Sequence, residues 1–197
     1  MVKSTIYGHG RGWCFTPNDF LATGNYTAVR QALSRLQKEG FIRRLSWGLY
    51  EYPRLHEKLG TLPPEIPQVV SAIARKDESK VLPSGAMAAN LLGLSTQVPA
   101  KAVYLTEGLS KRIKIGKQEV VFKKTTPKNL AAAGTVAGLL IQALKHMGRR
   151  QVTEDTISAL KRRLKSEDRL VLKKHMRHAP VWIRDIMQEI VEGKQHG

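Results

Sequence analysis

The sequence predicts an α+β protein of two domains. Three observations predict it. Apolar residues recur at helical spacing through most of the chain, interrupted by short alternating stretches such as "FIRRL", "AVYLTEG" and "KRIKIGKQEVVFKK". A capped helix, a glycine, a second helix and a basic hairpin follow one another within residues 16–53. The segment "PRLHEKLGTLPPEIP" at 53–67 then holds four prolines and a glycine, which marks a linker. The boundaries drawn are 1–60 for the first domain and 61–197 for a mixed, mainly helical second domain with a small β-sheet.

The 197 residues leave ample length for a core. Charge is the outlier: 33 Lys and Arg against 16 Asp and Glu give +17. Residues 1–60 carry nine basic and four acidic residues, 61–130 eleven and five, 131–197 thirteen and seven. The excess therefore runs along the whole chain and is no tail. Such a balance calls for an anionic partner, most often nucleic acid. The lone cysteine, Cys14, excludes an internal disulfide and a Cys-based zinc site. It sits between Trp13 and Phe15, where a buried, inert thiol is expected. The opening "MVKSTIYGHGRGW" has no apolar core of a signal peptide. The longest apolar run, "LAAAGTVAGLLIQAL", is too short to span a bilayer. A cytoplasmic protein without membrane contact is expected.

In the first domain Thr16 caps a short helix that opens on Pro17 and closes at Gly24. Asn25 caps a second helix, to about Glu39, with Gly40 at its C′ position. "FIRRL", the turn "SWG" and "LYEYP" make a hairpin. On a helical wheel Val29, Ala32, Leu33 and Leu36 form one buried stripe. Thr27, Gln31, Ser34 and Lys38 fall opposite, flanked by Arg30 and Arg35, with no acid among them. These side chains suit base edges and phosphates. Short helix, turn, second helix and basic hairpin together give a winged helix-turn-helix. Its second helix would enter the major groove, and Arg43, Arg44 and Trp47 would lie at or near the wing tip. The alternative is a plain solvated amphipathic helix with a charged hairpin. Arg35 suits an ion pair with Asp19 or Glu39 equally well, and Trp47 suits packing on the wing as well as DNA.

In the second domain helices are expected at "PEIPQVVSAIARKD", after "PSG" in "PSGAMAANLLGLS", at 135–147, and after caps at Thr153 and Ser166. A last helix opens at Pro180, with Trp182, Ile183, Ile186, Met187 and Ile190 on one face and Gly193 at its end. Ser84 reads as an N-cap and not as part of a phosphate loop, since the P-loop lysine and spacing are missing. Residues 145–177 hold eleven basic and four acidic residues. Arg149, Arg150, Arg162, Arg163, Lys173 and Lys174, with Lys161 and Lys165, could form a second anion-binding surface or a solvated face. No catalytic set, cofactor motif or metal-ligand spacing emerges. His175 and His178 share a helix face without an acidic or Cys partner, and the remaining histidines, His9, His56, His146 and His196, stand apart.

The segments "GRGWCFTPNDF", "VRQALSRLQKEGFIRRLSWGLYEYP", "PSGAMAANLLGLSTQVPA", "TTPKNLAAAGTVAGLLIQAL" and "HAPVWIRDI" together resemble the AbiEi-type antitoxin and transcriptional-regulator family. That resemblance implies a winged helix that binds inverted repeats at its own promoter and represses it. It implies an antitoxin of a type IV phage-defence system, paired in function with a nucleotidyltransferase-like toxin without a stable complex. It maps the recognition positions onto Thr27, Arg30, Gln31, Ser34, Arg35 and Lys38, and the wing onto Arg43, Arg44 and Trp47. Binding as a monomer or a homodimer fits inverted repeats. Members of that family carry a full helix before "GRGW". Here about ten residues precede it, and "YGHG" is a poor helix former, so a short or missing first helix is expected. Two other readings stay open: a basic RNA- or ribosome-associated protein, and an antitoxin that acts by direct protein contact.

Overall fold

The computed structural model describes residues 1–97 and 99–193. It is a mixed α+β structure with small sheets, divided into two compact units: Met1–Ser79 with Arg112–Val120, and Lys80–Lys111 with Val121–Gly197.

The first unit opens on a helix, α1 (Val2–His9), followed by β1 (Cys14–Phe15) and a 3₁₀ helix at Pro17–Thr23. Of the two outcomes expected from "YGHG", a short or a missing first helix, the helix is present and short, eight residues. Packing outweighs propensity here. Ile6 is fully buried against Phe15, Phe20, Val29 and Leu33. Burying such a side chain is worth about 1.5–3 kcal/mol, against about 1 kcal/mol for a glycine inside a helix. His9 also stacks on Trp13, with ring centroids 3.8 Å apart.

The Thr16–Asp19 device forms as its residue types require. The Asp19 carboxylate accepts from the Thr16 amide at 2.7 Å, which fixes the start of the 3₁₀ helix. Asn25 then caps α2 (Tyr26–Lys38), its Oδ1 accepting from the Ala28 amide at 2.8 Å. Val29, Leu33 and Leu36 are buried beneath it. Gly40 leaves the helix with φ +72°, a conformation that favours glycine.

A hairpin follows, β2 (Arg43–Ser46) and β3 (Leu49–Glu51), and β1 pairs antiparallel with β3. The register slips by one residue between Arg44 and Ser46, a bulge just before the Trp47–Gly48 turn. Residues 53–65 hold a further small hairpin, β4 (Leu55–His56) with β5 (Gly60–Thr61). Then α3 (Ile66–Lys76) packs on β1 within the same unit. Its Arg75 donates to Asp19 Oδ1 at 2.7 Å and to the Cys14 carbonyl at 2.9 Å.

The second unit begins with β6 (Val81–Pro83), α4 (Ala86–Leu91) and β7 (Lys101–Thr106). The basic hairpin is β8 (Lys111–Ile115) with β9 (Gln118–Lys124), of which Arg112–Val120 belong to the first unit, and the strand order is β6-β7-β9-β8. Next come α5 (Val136–Met147), α6 (Glu154–Arg163), α7 (Ser166–His175) and α8 (Val181–Glu192). Their inward faces meet in one core that includes Leu140, Leu144, Leu160, Leu172, Ile183, Met187 and Ile190. Thr153 caps α6 as its sequence context predicts, and Thr135 caps α5.

Two expected caps shift by one residue. Gly85, at φ +55°, takes the N-cap position of α4, and the Ser84 carbonyl accepts from Met87. Ser166 is the first residue of α7, because Asp168 accepts from the Lys165 amide and so starts the helix one residue earlier. No helix among the described residues is long and apolar enough to cross a membrane. His196 and the other last residues of the expected second domain lie outside the described ones.

Candidate nucleic-acid interface

The exposed side of α2 and the β2–β3 hairpin meet within the first unit. Thr27, Arg30, Gln31, Ser34, Arg35 and Lys38 are all exposed, because Val29, Leu33 and Leu36 take the inward face. The six do not share one environment, however.

Arg30 and Ser34 line a concavity of about 200 Å³ between α2 and the hairpin. Tyr26, Gln37, Arg44, Trp47 and Tyr50 line it too, and no carboxylate is among its lining residues. Arg35 lies on the other flank, beside α1, where it lines a groove together with Lys3 and Glu39. Thr27, Gln31 and Lys38 stand on the crest between. Asp19, which suited Arg35 as a partner, is engaged by Arg75 and by its own cap.

The hairpin sorts its two arginines by strand alternation. Arg43 turns inward: its Nε lies 2.5 Å from Glu51 Oε2, and its Nη2 donates to the Leu62 carbonyl at 2.6 Å. This corrects the reading of Arg43 as a wing-tip cation. Residue 43 pairs with residue 51 across the strands, so an arginine there meets the buried Glu51. Glu51 is fully buried, and burial pushes its carboxyl above the usual range despite Arg43.

Arg44 points the other way. Its guanidinium sits 4.6 Å over the Trp47 ring, which is 76% exposed at the turn. Arg30 reaches toward the same ring at 6.0 Å and toward Tyr26 at 5.8 Å. Two cations and two exposed aromatics thus frame one concave surface.

Sequence reasoning missed Tyr26, Gln37 and Tyr50. The signal for the first two was available. Tyr26, Arg30 and Gln37 are spaced i, i+4 and i+11, so they share one flank of the helix. Only the hairpin's position shows that this flank is the walled one.

Cys14 is fully buried, and its thiol is pushed up to about 12, first by burial and then by Glu51. Among the described residues no three His, Cys, Asp or Glu side chains come together as a metal would need. His175 and His178 lie with ring centroids 5.8 Å apart. Burial, then His178, Lys174 and Arg177, holds His175 below the usual imidazole range.

In the second unit Arg149, Arg150, Arg162, Lys165, Lys173 and Lys174 are exposed. Two neighbours have structural work instead. Arg163 donates to the Leu92 carbonyl at 2.7 Å and so closes the end of α4, while Lys161 pairs with Glu189 at 2.8 Å.

One family model matches residues 1–172, well over half of the chain. The chain belongs to DUF6088, a family of unknown function. No curated protein matches this DUF6088 member. Among solved structures, it is similar to the crystal structure of the RV2827C protein from Mycobacterium tuberculosis. The two share 13% identity at a TM-score of 0.42, over 94% of this chain and 78% of the other.

Proposed function

We propose that this DUF6088 protein binds duplex DNA through a winged helix-turn-helix, with α2 in the major groove and the β2–β3 hairpin as the wing. One observation carries the reading: the exposed face of α2 is free of acids and continues into Arg44 and Trp47 of the hairpin. Charge supports it, since +17 spread along the chain favours association with a polyanion. Gln31, Arg30, Ser34 and Thr27 are the base readers on this account; Lys38, Arg35 and Arg44 hold phosphates.

By its resemblance to AbiEi-type regulators, the protein represses its own promoter through inverted repeats. By the same resemblance it is the antitoxin to a nucleotidyltransferase-like toxin, which it counteracts without a stable complex. DNase footprinting over the region upstream of the gene tests the repressor. Protection of two half-sites related by a dyad supports it; no protected sequence at full occupancy refutes it.

One observation favours a second reading. Tyr26 and Trp47 are exposed rings beside guanidiniums, an arrangement suited to bases out of the stack. Single-stranded RNA that competes as well as duplex DNA would favour an RNA-binding role.

A further inference from the structure

The concavity between α2 and the hairpin has a chemistry that phosphate contacts alone do not require. Three of its walls are aromatic: Tyr26, Trp47 and Tyr50. Its polar groups are the Arg30 and Arg44 guanidiniums, the Ser34 hydroxyl, the Gln37 amide and the two tyrosine hydroxyls. All can donate a hydrogen bond, and none is a carboxylate. The Trp47 ring remains 76% exposed although two guanidiniums approach it. Leaving so large an apolar ring in water is costly to solubility and contributes nothing to the core.

Its position has a local cause. The bulge between Arg44 and Ser46 re-aims the strand, and Gly48 at φ +64° closes the turn, so residue 47 occupies the corner. A point cation placed there would serve a phosphate as well. A flat, largely exposed aromatic with two flat cations within 6.0 Å of its centre serves a flat, electron-rich ligand with a negative charge attached. A nucleotide unit is such a ligand: its base stacks on the indole, and its phosphate is held by a guanidinium.

We propose that the Tyr26–Arg30–Arg44–Trp47 concavity takes a single nucleobase drawn out of the duplex stack, with Trp47 as its platform. This rests on the duplex-binding reading above. It adds that the wing distorts the DNA it touches, and does not only lie along the backbone. A base already unpaired costs least to draw out, so it should bind best.

The test is a comparison of two duplexes of the same sequence, one fully paired and one with a single extra thymine, by fluorescence anisotropy on the full chain. The wild type is expected to bind the bulged duplex roughly tenfold tighter, within the range that one base–aromatic stack supplies. Trp47→Ala should abolish the preference, and Trp47→Phe should keep most of it. Equal affinity for the two duplexes, or a preference that survives Trp47→Ala, overturns the proposal while leaving duplex binding intact. Binding to neither duplex overturns this proposal and the duplex-binding reading together.

Discussion

Arg43 and Arg44 are neighbours in one strand and have opposite roles. Arg43 lies 2.5 Å from the buried Glu51, and Arg44 lies over the exposed Trp47 ring, 4.6 Å from its centre. Strand alternation sends one inward and the next outward. Arg43→Ala should therefore lower stability by about 2 kcal/mol, since it strands a buried carboxylate but removes a partner that is itself part-exposed. Arg44→Ala should leave the urea midpoint unchanged and weaken nucleic-acid binding. Denaturation and binding curves on the two variants separate the roles, and equal loss of stability in both would contradict the assignment.

Burial raises the folded-state pKa of Glu51 above its ordinary value of 4.5. The folded state then holds the proton over a window in which the unfolded state has lost it. The stability this gives is fully present below the ordinary carboxylate range and is lost as pH rises through the raised folded value. Glu51→Gln removes that titration. The stability of the wild type relative to Glu51→Gln should fall as pH rises from about 4.5 upward. Urea denaturation at a series of pH values reads the difference, and a flat or rising difference rejects the prediction.

Cys14 is sealed from solvent, and its thiol is pushed up to about 12. The thiolate is the reactive form. The native protein should therefore resist iodoacetamide at pH 7–8 and be labelled stoichiometrically once unfolded in guanidinium. Rapid labelling of the native chain would show that the segment around β1 opens readily.

Gly138 lies in α5 where another backbone passes close. A Cβ there would meet the Ala132 carbonyl oxygen well inside van der Waals contact, with Leu82 Cδ1 at 3.0 Å. Helix propensity alone favours alanine at this position by about 1 kcal/mol. Crowding against rigid backbone outweighs that, so Gly138→Ala should destabilise the protein by about 1–3 kcal/mol. A raised melting temperature would mean that the Ala132 turn yields easily.

Much of this was legible in the residues. Thr16, Asn25 and Thr153 start their helices where the cap chemistry puts them, and the inward stripe of α2 follows from its period. The failures share a cause. The inward turn of Arg43 and the shifted starts of α4 and α7, like the choice between a short α1 and none, depend on partners distant in sequence or on a competing cap. For α1 it is the core around Phe15 and Leu33, for Arg43 the Glu51 carboxylate, for α7 the Asp168 carboxylate. The face of α2 could be named from the sequence. Which flank the hairpin walls off, and hence the place of Tyr26 and Gln37, needed the fold.

The most direct test of the central claim is fluorescence anisotropy of the protein on its own upstream DNA against a shuffled duplex, across a salt series. Sequence-specific binding should give roughly a thousandfold preference for the native sequence, the lower range for specific binders. Arg30→Ala and Gln31→Ala should each remove about 1–3 kcal/mol of that preference. Equal affinity for both duplexes, with a steep salt dependence that neither variant alters, would contradict it. The +17 charge would then be driving generic binding to any polyanion.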